Sequence, residues 1–520
     1  MPRPKANCPA CAAPVVFQCR TSMVTVCSTC KSVVARGDKK LEDHGRVADI
    51  VATDSPLALG IKGRFRSKPF LIIGRTQFQH AAGGVWDEWY CAFPNGKWGW
   101  LAEAQGQFYM TFEESFSEDA LPSLDSLQGG QQLVLNDANY TIAEVGLARI
   151  GGAEGEMPVA VVPNAEHPFV DLYADNERFA TLDYSTGKPQ CYVGWIVTLD
   201  DLGLKDVKPD QREGKSISAL KVGCPNCGGM LDLRMPDETQ RVVCSFCSSM
   251  LDCNKGNLQF LSTLKPKTKP IIQLGTQGKL FGIQFTVIGF VQRSVTIGGT
   301  KYFWTEYLLY EPTTGFRWLV HSDSHWSYVE PVSPSKVKDD HSIARYDGKT
   351  FKVFQEAIAR VEYVLGEFYW KVEIGESVLC RDLICPPYML SFERTTSGAR
   401  AVSKQGQKVG SITLGETSIS LGTYLPHADV TAAFGVTNLP RGWIVAPNQP
   451  VPVPSEIFVK WAMFLIALVV IYGFALGCNM QPDDWLLIWA MTLVSVPPLF
   501  GAVVNASFNQ RRWAESDFAP

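Results

Sequence analysis

The chain opens with CPACAAPVVFQCRTSMVTVCSTC, and from residue 224 it writes the same phrase again as CPNCGGMLDLRMPDETQRVVCSFC. Cys8 and Cys11 form one Cys-x2-Cys pair and Cys27 and Cys30 the other, with fifteen residues between the pairs. Cys224, Cys227, Cys244 and Cys247 repeat the pattern with sixteen. Two residues between thiolates let a tight turn aim both sulfurs at one ion, and a short hairpin brings the second pair round to complete a tetrahedron. Pro9, Pro225 and Gly228-Gly229 suit such turns. Pairing the same thiols as disulfides would need an oxidising compartment. The first residues, MPRPKANCPACAAPVVFQ, lack the apolar run that a secretory signal needs after its charged start. The spacing therefore predicts two structural zinc sites, coordinatively closed and not catalytic.

The other end of the chain constrains it as strongly. Trp461–Cys478 and Trp485–Val504 carry no charge, and eighteen and twenty residues at about 1.5 Å each reach across a bilayer core. The intervening NMQPDD suits a reversal, so residues 457–510 read as a two-helix transmembrane hairpin. Lys460 precedes the first span, Arg511 and Arg512 follow the second, and the turn is acidic, which places both termini in the cytoplasm at an inner membrane. Trp461, Trp485, Trp489 and Trp513 are expected at the interfaces, and Pro497-Pro498 is expected to kink or locally unwind the second span.

Between these ends the repetition continues. LALGIKGRF at 57–65 answers IQLGTQGKL at 272–280, and FLIIG at 70–74 answers FTVIG at 285–289. Trp86-Asp87-Glu88-Trp89 answers Trp304-Thr305-Glu306-Tyr307, and Trp100 pairs with Trp318. Gly155-Glu156 aligns with Gly366-Glu367, Asp171-Leu172 with Asp382-Leu383, and Asp183 with Glu393. Both copies consist of short runs rich in Val, Ile, Phe, Tyr, Trp and Thr, punctuated by Gly, Pro, Asn and Asp, the mark of antiparallel β structure. Only DGKTFKVFQEAIARVEYVLGEF suggests a short helix. The expected fold is mainly β: two zinc ribbons, two antiparallel β-barrel-like or curved-sheet domains, and the hairpin. The boundaries fall at 1–40 and 221–256 for the ribbons, 41–205 and 257–432 for the β domains, 206–220 and 433–456 for linkers, and 511–520 for a cytoplasmic tail.

These motifs, a cysteine ribbon followed by Leu-Gly-x2-Gly, an apolar-Ile-Gly run, Trp-x-Glu-aromatic and Gly-x2-Trp-Leu, resemble the bacterial family called domain of unknown function 4178. The resemblance covers two copies and about two thirds of the chain. It implies company with polyamine-synthase-like proteins, small multi-span membrane proteins and envelope-stress systems, and no established activity. The second copy, with GEFYW where the first has GEMP, lies closer to the family pattern.

A net charge of −4 and a pI near 6.0 argue against a nucleic-acid-binding surface overall. The first ribbon is the local exception, with seven basic residues against Asp38 in residues 1–40. Nucleic acid or an anionic lipid surface is thus an alternative for that segment. In each copy alternation puts Trp86 with Glu88, and Trp304 with Glu306, on one strand face. Such a pair suits a small cationic ligand, a polyamine for example, through charge and cation–π contact. The competing reading is a packed Trp beside a structural Glu. Asp382 and Glu393 join Glu306 as ligand-binding candidates, or as the acids of an enzyme of polyamine or amide modification if they converge. His321, Asp323 and His325 lie on strand or loop, where their spacing does not aim them at one ion. No nucleophile elbow, phosphate loop or dinucleotide fingerprint appears. The composite expectation is a membrane-anchored cytosolic binding or scaffold protein with membrane-associated protein partners, favoured over the enzyme alternative without closing it.

Overall fold

The computed structural model describes residues 5–514 and 516, apart from 18–20, 37–40, 48–49, 51–54, 82–83, 105–106, 117–120, 137, 163–164, 187, 205–219, 236–238, 255–256, 266–267, 298, 313, 403–407, 438, 440–441, 443 and 478–484. The linker expected at 206–220 and the NMQPDD turn fall almost wholly outside these residues.

Strand pairing closes on itself twice. Lys68–His80, Val85–Ala92, Trp98–Ala104 and Gln107–Glu114 form an antiparallel meander, and Gln107–Glu114 pairs with Gln190–Val197. From there the order runs through Arg178–Asp183, Glu166–Ala174 and Ala138–Met157, and the last pairs back with Lys68–His80. The second copy repeats the circuit: Ile283–Ile297, Thr300–Glu311, Gly315–Ser322, His325–Pro331, Lys408–Leu425, Tyr388–Val402, Ser377–Cys385, Lys349–Phe368 and back to Ile283–Ile297. Each copy is a closed eight-stranded barrel, a size whose interior is filled by side chains or holds one small ligand. Even the irregularities repeat. The register slips at Ile72/Gly74 and Val287/Gly289, and again at Ile142/Glu144 and Val353/Gln355. Such bulges bend strands enough to close a barrel.

The expected helix in DGKTFKVFQEAIARVEYVLGEF is the strand Lys349–Phe368. It is hydrogen-bonded on both sides, and it buries Phe351, Phe354, Tyr363, Val364 and Phe368. The Glu-Ala-Ile-Ala-Arg stretch has local helical preference, but two flanking strands and an aromatic, β-branched inner row outweigh it.

Each ribbon adds a strand to its own barrel at the equivalent place. Thr25 pairs with Glu156, and Val242 pairs with Glu367. The strands Leu41–Arg46 and Asn257–Thr263 complete the ribbons' own sheets, so the ribbons extend past residues 40 and 256. The repeated Gly-Glu has a purpose here. Gly155 and Gly366 have φ of +74° and +92°, and a Cβ on either would lie 2.3 Å from the carbonyl of Ile73 or Ile288. The adjoining carboxylates are buried and hold the ribbon. Glu156 accepts from Ser22 Oγ at 2.6 Å, and Glu367 accepts from the Arg234 amide at 2.8 Å.

The barrels touch where Glu144 and Val145 pair with Glu416 and Gly415, with ion pairs Lys336–Glu177 and Lys338–Asp175 beside that junction. The helix His427–Phe434, which periodicity did not indicate, caps the second barrel through Val430 and Phe434. The strap that follows is pinned to the barrel wall: His325 Nε2 donates to the Ile444 carbonyl at 2.8 Å, and Asn448 to Ser327 Oγ at 3.1 Å. Two helices come next, Ser455–Gly477 and Trp485–Ala514. Asn505 bonds both the amide and the carbonyl of Val453, and Gly501 packs near Phe458. The second helix runs through Pro497-Pro498 without ending and continues beyond Val504. Its last turn docks on the second barrel, where Trp513 packs against Phe354 at 5.7 Å. Among the described residues, Ser455–Phe474 is long and apolar enough to cross a membrane, and none of it is buried.

Candidate functional site

In both ribbons the four sulfurs converge. Cys8–Cys30 and Cys11–Cys27 are 3.7 and 3.6 Å apart, and Cys224–Cys247 and Cys227–Cys244 are both 3.8 Å apart. Metal–sulfur bonds of about 2.3 Å in a tetrahedron give edges of about 3.8 Å, whereas a disulfide needs about 2.05 Å. The donor set thus fits a tetrahedral, thiolate-binding metal. Ser249 hydrogen-bonds Cys247 at 3.1 Å and holds its thiol down to about 6, and the neighbouring Ser32 lowers Cys30, also to about 6.

The second cluster lies inside the barrels. Tyr109 and Tyr173 meet at 3.2 Å although their strands are not neighbours in the sheet, so they meet through the lumen. Arg293 lies 3.7 Å from Glu393 across the second barrel by the same logic. Following the lateral pairings from these residues places Glu88, Asp171 and Asp183 on the inner wall of the first barrel. Glu306, Asp382 and Glu393 take the corresponding positions in the second. The candidates from both copies therefore converge, each set in its own lumen.

The Trp-x-Glu motif is an indole–carboxylate hydrogen bond. Trp86 Nε1 donates to Glu88 at 3.2 Å and Trp304 Nε1 to Glu306 at 2.7 Å. The rest of the two walls differs. In the first barrel Phe78 stacks on Trp86 at 5.2 Å, and Phe169 meets the same indole edge-on at 5.5 Å. Thr181 donates to Asp171 at 2.7 Å, the Ser185 amide donates to Asp183 at 2.7 Å, and His80 contacts Glu144 at 2.7 Å. In the second barrel Arg293 Nε lies 3.0 Å from Glu306, and Ser391 donates to Asp382 at 2.6 Å.

The charge states follow from these surroundings. Burial, assisted by Asp183, pushes Glu88 up to about 7, and burial with Glu144 pushes Asp171 up to about 8. Burial raises Asp382 to about 6. It also raises Glu306, against the pull of Arg293. For His80 burial acts downward, yet the Glu144 hydrogen bond and charge carry it above its ordinary value. Among the described residues no lysine or arginine is ion-paired with Glu88, Asp171 or Asp183. Sequence reasoning passed over Phe78, His80, Glu144 and Arg293. Extending the FLIIG/FTVIG alignment by four residues sets Phe78 opposite Arg293 and would have exposed that difference.

The histidines do not make a metal site. His325 is engaged with Tyr424 and the Ile444 carbonyl, while His321 stacks on Trp326 at 4.3 Å on the other face of the sheet.

No curated protein and no solved structure matches the chain. The family described as Domain of unknown function (DUF4178) matches residues 58–198, which span the first barrel, and 273–410, which span the second as far as the start of its strand Lys408–Leu425; together the matches make up more than half of the chain. The ribbon-bearing barrel is the repeating unit, and the chain belongs to the DUF4178 family with two copies in tandem.

Proposed function

We propose that this is a membrane-anchored, non-enzymatic binding protein whose first barrel receives a small organic cation of the polyamine class. The observation that carries it is the set of inward carboxylates Glu88, Asp171 and Asp183, gathered beside the aromatic faces of Trp86 and Phe169 with, among the described residues, no arginine or lysine ion-paired to them. Carboxylates held out of bulk water resist ionisation unless a cation joins them. A lumen walled by indole and phenyl rings adds cation–π attraction for an alkylammonium.

The rest of the chain serves this receptor. The two four-cysteine clusters hold zinc, which fixes each ribbon against its barrel. The exposed apolar helix Ser455–Gly477 and its partner Trp485–Ala514 form a hairpin in the membrane, entered and left on the cytoplasmic side. The strap bonds at Val453 and Asn505 and the docking of Trp513 on the second barrel support that reading, because they bring both outer ends of the helices to one barrel.

Isothermal titration of detergent-solubilised full-length protein with spermidine tests the proposal. Saturable binding in wild type, weakened at least tenfold in Glu88→Gln, is the expected result. Binding unchanged by that substitution, or no binding at pH 8, overturns it.

A further inference from the structure

The two lumens share a corner and fill it differently. In both, an indole N–H holds a glutamate (Trp86–Glu88, Trp304–Glu306) and a second acid stands across the lumen (Asp183, Glu393). In the second barrel Arg293 enters this corner, its Nε 3.0 Å from Glu306 and its terminal nitrogen 3.7 Å from Glu393. Its position in the first barrel is held by Phe78, whose ring lies flat against Trp86 and supplies bulk without charge. Cys380 likewise stands where the first barrel has Phe169, and both sit opposite the distal acid, Glu393 or Asp183.

We infer that Arg293 is a built-in ligand. The second barrel holds the chain's own guanidinium between Glu306 and Glu393, and the first takes from solution a guanidinium or primary ammonium group on a small stem, seated between Glu88 and Asp183. This rests on the cation reading above and makes it specific. The site is one per chain, although the carboxylates are duplicated. The charged end of the ligand lies where the Arg293 guanidinium lies in the sister barrel. Phe78 already occupies the wall position from which Arg293 projects, so the ligand's stem approaches along the lumen. A planar guanidinium can engage both acids through several N–H groups at once, so a guanidinium head should bind more tightly than an ammonium of equal charge.

Titration of the full-length protein with agmatine, read as stoichiometry, separates the two claims. Wild type should bind one equivalent, Arg293→Ala two, and Glu88→Gln none. One equivalent in wild type and still one in a folded Arg293→Ala overturns the built-in-ligand inference and leaves the first-barrel reading standing. None in wild type but one in Arg293→Ala supports the inference and overturns that reading. Two in wild type shows that Arg293 blocks nothing, and overturns the inference. If Arg293→Ala fails to fold, the reciprocal Phe78→Arg decides. A guanidinium on the first wall should abolish agmatine binding, and retained binding in a folded Phe78→Arg protein overturns the inference.

Discussion

In the second barrel Glu306 and Glu393 face an arginine of their own chain; in the first, Glu88 and Asp183 face two phenyl rings and each other. The strand order, the bulges and the docked ribbon around them are alike. Removing a carboxylate from water is costly, and the cost is offset by a cation or by retaining the proton. The second barrel sets the Arg293 cation against that cost, although burial still raises Glu306 and Asp382. The first has the proton, with Glu88 and Asp171 pushed up to about 7 and about 8. A duplicated domain can thus hold one copy as a finished structural unit, joined to the strap and helices, and leave the other receptive.

The largest expected effect probes what the copies have in common. Cys27→Ser and Cys244→Ser should each lower bound zinc from two per chain to one and unfold only the affected ribbon, since structural zinc supplies about 10 kcal/mol or more to such a module. Metal analysis with limited proteolysis checks this. Loss of both metals from either variant would mean that the ribbons are not independent.

Next comes the difference at the shared corner. Arg293→Met strands Glu306 and Glu393 and should cost about 3–5 kcal/mol. Phe78→Leu, at the same position of the first barrel, exchanges one apolar group for another and should cost about 1 kcal/mol. Chemical denaturation of both variants makes the comparison, and equal losses would contradict the account.

The pH response is the mildest. Carboxyls whose folded values lie above their unfolded ones favour the protonated form in the native state. Their contribution is greatest below about pH 4. It falls as pH rises toward the folded values, about 7 for Glu88 and about 8 for Asp171. The ligand-free protein should therefore lose thermal stability between pH 5 and 8, and Asp171→Asn should flatten that decline. Added spermidine should restore stability most at the alkaline end, with protons released on binding. A thermal midpoint that rises over this range would count against protonated lumen acids.

How much of this was legible in the sequence depended on the range of the interaction. The cysteine ligands are local, so Cys8 to Cys30 and Cys224 to Cys247 declared themselves by spacing. Strand periodicity is local as well, and β structure was readable. Closure could be expected only as one of two alternatives, a barrel-like or a curved sheet, because pairing Ala138–Met157 back onto Lys68–His80 depends on contacts distant in sequence. The same non-locality turned Lys349–Phe368 from an expected helix into a central strand. Convergence of Glu306, Asp382 and Glu393 needed the barrel, since they sit on three strands. The Gly-Glu motif was visible as a repeat, but its role in holding the ribbon required seeing Ser22 and the Arg234 amide arrive at the carboxylates.

The most direct measurement is an experimental structure of the full-length protein with agmatine bound. The account predicts ligand density in the first barrel between Glu88 and Asp183, and the Arg293 guanidinium alone between Glu306 and Glu393 in the second. Ligand in the second barrel with Arg293 displaced, or a first lumen closed by side chains with the ligand elsewhere, would contradict it.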